Sequence, residues 1–184
     1  ELKLNDDYRA QMFRYTNSFK EARFLRAYFY FNLVRAYGDV PYFTEMVTTD
    51  QVNSLTRTPA QEIFNAIIAE CDKLSTELPA DYTKLGLDGI APAENGRVTC
   101  YAALALKARA ALYAASPLFN PENNKDLWRR AAEANKEVIE TCTANGFKLS
   151  KYSELWGPNN WSNNEMIFVR RYNGNISTLE EYNF

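Results

Sequence analysis

The stretch EARFLRAYFYFNLVRAYGDVP, residues 21–41, constrains the fold of this chain more than any other. It predicts a helix that ends at Gly38, because glycine tolerates the left-handed conformation of the residue after a helix and Pro41 prevents the helix from resuming. At 100° per residue, aromatic and aliphatic side chains fall on every side of this helix. The run is too short and too charged to span a bilayer. Because the mean hydropathy of the chain is only -0.44, the pattern predicts a central helix buried among other helices.

Three arginines, Arg23, Arg26 and Arg35, lie within this helix among the aromatic residues. A buried charge without a partner is strongly unfavourable. We therefore expect each guanidinium group to be paired structurally, with a carboxylate or with several backbone carbonyls. An arginine that faces a ligand is the alternative.

Three further helices follow from apolar spacing and from helix-end signals. The first begins at a capping box over residues 58–61, carries one apolar face and ends before Pro79. The second begins at Thr99 and is rich in alanine, which allows its backbone to approach a neighbouring helix closely. The third begins near Asp126 and ends at Gly146.

The two ends of the chain carry weaker signals. Residues 2–15 have apolar side chains at helical spacing, and Asn17 or Ser18 is expected to cap the helix that follows. Residues 165–172 form a β-rich run that predicts a short strand. Together the elements predict an all-α fold of tetratricopeptide-like helical hairpins around the central buried helix, with a short strand near the C-terminal end, as a single domain over residues 1–184.

The composition excludes several classes of function. The chain has no histidine, which removes Ser-His-Asp and Cys-His triads and His-ligated metal sites. Its 21 basic and 23 acidic residues give a formal net charge of -2 without a basic stripe, so no nucleic-acid partner is expected. Cys71, Cys100 and Cys142 form no Cys-x-x-Cys pair. With no phosphate loop or nucleophile elbow either, the sequence predicts a protein that is not an enzyme and uses no metal or cofactor.

The strongest candidate for ligand binding is LWGPNNWSNN, residues 155–164. Its tryptophans and asparagines offer flat apolar faces and amide groups, which suit the C–H face and the vicinal hydroxyls of a sugar ring. The candidate ligand-binding residues are Trp161, Asn159 and Asn160, with Tyr42 after the central helix as a weaker one. The alternative is a structural loop, in which the first tryptophan fills the core and the asparagines turn the chain.

Residues 21–41 also closely resemble the signature helix of the SusD/RagB family, which are outer-membrane nutrient-binding lipoproteins of Bacteroidetes. Two later stretches fit the same family. One is residues 96–121, where GRVT leads into the alanine-rich helix and SPLFNP follows it, and the other is NNEMIFV at residues 163–169. The resemblance extends over nearly the whole chain but over only part of a family member, so residues 1–184 are interpreted as an internal fragment.

The resemblance implies a lipoprotein on the surface of the cell outer membrane that takes part in carbohydrate uptake. Such a protein captures an oligosaccharide and acts as a lid on a SusC-like TonB-dependent transporter, without a covalent step. Two alternatives remain open. One is peptide binding, as in RagB-like members, and the other is a helical-repeat protein-interaction scaffold with no role in transport.

Overall fold

The computed structural model describes residues 6–82, 96–155 and 163–169, with side chains described from Met12 onward. These residues form six helices: α1 (Asp6–Tyr37), α2 (Thr49–Val52), α3 (Ala60–Glu77), α4 (Cys100–Ala115), α5 (Lys125–Ala144) and α6 (Tyr152–Leu155). The helix α1 packs on α3, α3 packs on α4, and α4 packs on α5. The predicted all-α class is confirmed.

The long helices are arranged as two hairpins. Lys20 near the middle of α1 donates to the carbonyl of Glu77 at the end of α3 (2.9 Å), whereas Phe31 further along α1 contacts Phe64 near the start of α3. These contacts make α1 and α3 antiparallel. In the same way, the Asn135 amide of α5 reaches the Ala108 carbonyl of α4 (3.4 Å), and Tyr101 and Phe147 meet at the opposite end of the pair.

The helix α1 is continuous, whereas the sequence predicted two helices with a cap at Asn17 or Ser18. Inside α1 the Asn17 amide donates to the carbonyl of Phe13 (2.9 Å), and the Ser18 hydroxyl donates to the carbonyl of Arg14 (2.5 Å). Side chains that can cap a helix can also bond back to a carbonyl four residues earlier. In this helix they do so, and the predicted break is absent.

The end of α1 agrees with the prediction. Gly38 has a φ of +72°, and its N–H donates to the carbonyl of Val34 (2.8 Å). The chain then turns back, and Thr58 donates to the carbonyl of Val40 (2.9 Å) in an isolated antiparallel bridge. This bridge places the start of α3 beside the end of α1.

The predicted capping box at the start of α3 is wrong. The N–H of Ala60 is instead capped by the carboxylate of Asp39 (2.8 Å), which lies just after α1. Gln61 turns away from the helix end and donates to the carbonyls of Ala114 (2.6 Å) and Phe119 (2.7 Å). Because Thr58 is held in its bridge to the strand-like segment after α1, a distant residue supplies the cap.

The main core lies between α1, α3 and α4. The apolar face predicted for α3 is buried as expected, and alanines of α4 allow the close approach of helices. The largest fully buried side chains of this core are Phe24, Phe31, Phe64, Ile63, Ile67, Leu74, Val34 and Cys71. Burial raises the pKa of the Cys71 thiol to about 12, so this thiol stays protonated inside the core.

The prediction that α1 is buried on every side is wrong for the described part of the chain. Phe24 and Phe31 are 2% and 1% exposed, but Phe29 is 64% exposed and Tyr37 is 74% exposed. Among the described elements, α3 and α4 pack on α1, and both lie on the side of Phe24 and Phe31. The helix is therefore apolar on two opposite sides, and one of them is open.

The strand predicted at residues 165–172 is not present over residues 165–169, which form turns and bends. Residues 170–172 lie outside the described chain. Ile167 packs against the main core from this irregular segment. Apolar residues in a β-rich run can thus bury their side chains without pairing as a strand.

We predict that Ile67→Ala lowers the free energy of unfolding by about 2–5 kcal/mol, because it opens a cavity between α1, α3 and α4. Ile139→Ala is the matched control, since Ile139 on α5 is 65% exposed while Ile67 is 1% exposed. The control should change stability by less than about 0.5 kcal/mol in urea denaturation. Equal losses in the two variants would contradict the described core.

Candidate functional site

Three of the four predicted ligand-binding residues, Asn159, Asn160 and Trp161, lie outside the described residues. The described chain reaches Leu155 on one side of this segment and continues from Asn163 on the other. The structure therefore describes only the two flanks of this segment.

The flanks are hydrogen-bonded to each other. The Ser150 N–H donates to the carboxylate of Glu165 (2.9 Å), and the Ser150 hydroxyl donates to the side-chain oxygen of Asn163 (2.5 Å). The same Asn163 oxygen accepts from the N–H of Glu165 (2.9 Å), and the N–H of Lys148 donates to the carbonyl of Asn164 (3.3 Å). These bonds tie residues 148–150 to residues 163–165, and we call this cross-linked part of the chain the base.

Aromatic contacts attach this base to the helices. The ring of Phe168 meets Phe24 of α1 edge to face at a centroid distance of 5.5 Å. On the other flank, the ring of Phe147 meets Tyr101 of α4 at 4.8 Å. Since Phe24 is itself fully buried, the base is fixed to the main core rather than to a surface loop.

Tyr42, the fourth predicted ligand residue, is half-buried beside the end of α1. Its ring lies edge-on to Tyr30 with centroids 4.6 Å apart, and burial raises the pKa of the Tyr42 hydroxyl. The Tyr30 hydroxyl donates to the carbonyl of Phe43 (3.2 Å) and accepts from its N–H (3.1 Å). The structure therefore places Tyr42 against Tyr30 at the end of α1, and no bond of the base that contains Ser150, Asn163 and Glu165 involves Tyr42.

Two of the three arginines of α1 have partners of the predicted kind. The Arg23 guanidinium donates to Glu70 (2.6 Å) and to Glu77 (2.5 Å) on α3, and the hydrogen bond to Glu70 is the main cause of its raised pKa. Arg26 donates to the carbonyl of Thr44 (2.9 Å) and lies 3.9 Å from Glu70. These contacts join α1 to α3 and to the segment that follows α1.

Arg35 is different, and its predicted burial is wrong. The side chain is exposed, and its guanidinium lies over the ring of Phe31 at 6.0 Å from the centroid. Among the residues that the structure describes, no carboxylate forms an ion pair with it. Arg35 thus lies against an aromatic ring, whereas Arg23 reaches two carboxylates of α3.

A further ion pair, between Glu21 and Arg97, was not predicted from the sequence. The guanidinium donates to both carboxylate oxygens at 2.7 Å, and the side chains are only 16% and 21% exposed. The Tyr82 hydroxyl lies 2.9 Å from Glu21 and 2.9 Å from the carbonyl of Val98. Burial, reinforced by the carboxylate, strongly raises the pKa of Tyr82.

This ion pair holds the two ends of a long connection. Tyr82 precedes residues 83–95 and Arg97 follows them, and both are bonded to Glu21 on α1. Two features of the sequence point to these residues, since Glu21 opens the signature helix and Arg97 lies in the GRVT motif. Their pairing across 76 positions could not be inferred from local patterns.

The described residues offer little for metal or covalent chemistry. Within them, no group of three or more His, Cys, Asp and Glu side chains is placed to hold a metal ion. The three cysteines are free thiols, and Cys71 and Cys142 are buried. None of the described helices is long and apolar enough to cross a membrane.

The helical hairpins and the motif helix α1 define an all-α protein of helical hairpins, and comparison gives the family. Residues 3–112 match the family model described as SusD-like, starch-binding and associating with the outer membrane. Because the match includes more than half of the chain, the chain belongs to this SusD-like family.

Two curated relatives come from Formosa agariphila. The SusD-like protein P25 is 25% identical over 149 residues, which are 80% of this chain and 24% of that protein. The SusD-like protein P2 is 27% identical over 162 residues, or 86% of this chain and 28% of that protein. The chain thus spans about a quarter of the length of the curated relatives that it matches.

Solved structures of similar proteins agree. A SusD-like carbohydrate-binding protein from Bacteroides fragilis is 28% identical, with a TM-score of 0.64 over 83% of this chain and 26% of that chain. A second SusD-like protein from the same species is 29% identical, with a TM-score of 0.64 over 83% and 27% of the two chains. The surface glycan-binding protein A from Bacteroides uniformis is 25% identical, with a TM-score of 0.60 over 83% and 30%.

We predict that Glu21→Gln lowers the free energy of unfolding by about 1–3 kcal/mol, because it leaves the half-buried Arg97 without its charge partner. Glu140→Gln is the matched control, since Glu140 is 67% exposed and lies 3.7 Å from Lys136. The control should cost less than about 0.5 kcal/mol in urea denaturation. If Glu21→Gln were as mild as the control, the ion pair would not hold the connection in place.

Proposed function

We propose that this chain is the helical scaffold of a cell-surface protein that captures oligosaccharide at the outer membrane. The protein delivers the sugar to a SusC-like TonB-dependent transporter, for which it acts as the lid. The family description of starch binding and outer-membrane association supports this proposal, as do the two solved relatives named for carbohydrate and glycan binding.

One observation carries the proposal for the ligand site, namely the base, in which the two flanks of residues 156–162 are hydrogen-bonded to each other. Ser150, Asn163 and Glu165 tie the two flanks together, and Phe168 fixes them to the core. A binding segment whose ends are already fixed loses less conformational entropy when a ligand orders it. The sequence between the flanks supplies the tryptophan rings and amide groups that sugars require.

The proposed mechanism contains no covalent step. Capture needs stacking and hydrogen bonds, and delivery needs closure of the lid over the transporter. The chain has no histidine to act as a general base near neutral pH, and a binding mechanism needs none. We therefore propose a non-enzymatic protein that works without a cofactor.

The whole protein is proposed to be longer than this chain and to be held at the cell surface as a lipoprotein. The short share of each relative that the chain spans supports the greater length. Most ligand contacts then come from parts of the protein outside the 184 residues, and the helices serve as scaffold and transporter-facing surface.

Calorimetric titration of the full-length protein with maltoheptaose, a starch fragment, tests the proposed function. We predict that Trp161→Ala weakens binding about two- to tenfold, since loss of aromatic stacking costs ~0.5–1.5 kcal/mol. Trp128→Ala is the matched control, because Trp128 lies on α5 and bonds to Asn123 (3.1 Å) outside the braced segment. The control should bind as the unmodified protein does.

Parallel titrations with oligosaccharides from other polysaccharides and with short peptides separate the remaining alternatives. Binding of peptides without sugars would replace the proposal with RagB-like peptide capture. Binding of neither would favour an interaction scaffold. Equal affinity of Trp161→Ala and the unmodified protein would remove residues 156–162 from the ligand site.

A further inference from the structure

The helix α1 carries a second apolar face that none of the described helices covers. Its members are large hydrophobic side chains, with exposed fractions of 80% for Tyr15, 71% for Phe19, 64% for Phe29, 39% for Leu33 and 74% for Tyr37. We call these five residues the outer face of α1.

The outer face is a stripe on the side of α1 away from the core, with Arg26 between its two halves. At 100° per residue, Phe29 lies about 160° from the buried Phe31, and the five members fall within about 80° of one another. From Tyr15 to Tyr37 the stripe is about 33 Å long at 1.5 Å per residue. A monomeric soluble protein rarely leaves a contiguous apolar patch of this length in water.

A groove runs along the C-terminal half of this stripe. Its volume is about 730 Å³, and its lining residues are Ala22, Leu25, Arg26, Phe29, Tyr30, Leu33, Pro41 and Phe43. The polar side chains of this lining are already engaged, because Arg26 donates to Thr44 and the Tyr30 hydroxyl is bonded to Phe43. The groove therefore offers an incoming molecule mainly apolar surface.

This chemistry indicates which kind of occupant fits. A sugar needs several polar groups that are free to bond its hydroxyls, and the groove does not provide them. A protein surface of aliphatic and aromatic side chains does fit this groove. Permanent interfaces of that kind have the apolar composition of a domain core. The outer face is consequently suited to permanent burial by protein.

We propose that the outer face of α1 is covered by the remainder of the same protein, as an intramolecular interface. This inference rests on the proposal that the chain is part of a longer protein. The chain spans only 26% to 30% of the solved relatives described above, so most of such a protein lies outside it. The occupant presents an apolar surface with few charges.

A lid that opens and closes gives an independent reason for this choice. Its contact with the transporter must separate in water during each cycle, and an interface that is not permanent is about as polar as the rest of the protein surface. If the outer face were the transporter contact, about 33 Å of aromatic stripe would be exposed at every opening. Burial within the protein avoids that exposure.

Hydroxyl-radical footprinting of the purified, monomeric full-length protein, without transporter, tests the inference. After correction for intrinsic reactivity, we predict that Phe29 is as strongly protected as Phe31, the same residue type on the buried face. Leu33 should be protected as strongly as Leu74, which is fully buried in α3. In a second measurement, Phe29→Asp should lower the melting temperature of the full-length protein by roughly 3–6 °C.

Three results would overturn the inference. One is free reaction of Phe29 and Leu33 in the monomer, the second is protection that occurs only when a transporter is added, and the third is protection that occurs only at concentrations where the protein dimerises. The footprint is read without sugar, so a failure to bind maltoheptaose would refute the proposed function and leave this result unchanged.

Discussion

The fold depends on the packing of one face of α1 against α3 and α4. Phe31 is the residue where the three helices meet, since its ring lies 6.4 Å from Phe64 of α3 and 5.2 Å from Tyr113 of α4. Burial of an aromatic ring of this size stabilises a core by about 1.5–3 kcal/mol, which is more than a typical hydrogen bond between neutral groups contributes. The alanines of α4 let the helices approach closely enough for these rings to touch. The two hairpins themselves are joined by α3 packing on α4, and Phe31 fixes α1 onto that pair.

Polar contacts around this core position the connections rather than create the fold. Glu21 binds both ends of residues 83–95 through Tyr82 and Arg97, and Arg23 joins α1 to two carboxylates of α3. On another side, the segment that contains Asn163 and Glu165 is held to Phe24 through the aromatic contact of Phe168. Binding residues usually lie on loops whose ends are held in place by a rigid scaffold of helices or strands. The bundle therefore provides support, and the connections are where recognition is proposed to occur.

Sequence patterns predicted the features that depend on neighbours along the chain. The apolar face of α3, the alanine-rich α4 and the left-handed Gly38 follow from periodicity and from backbone preference. Features that depend on distant residues could not be read in the same way. The cap of α3 comes from Asp39, and Glu21 finds its partner 76 residues away. For the ligand site, the sequence alone named the candidate residues, and the structure adds the flanks that brace them.

Hydropathy alone could not show which side of α1 is buried and which is exposed. Phe24 and Phe29 are the same residue type on one helix, so hydropathy cannot tell which of them faces the core.

The most direct test of the central claim, that the bundle braces residues 156–162 for sugar recognition, is a crystal structure of the full-length protein with bound maltoheptaose. The account predicts a sugar ring stacked on Trp161 above the Ser150–Asn163 contact. A sugar bound with no contact to residues 156–162 would contradict it.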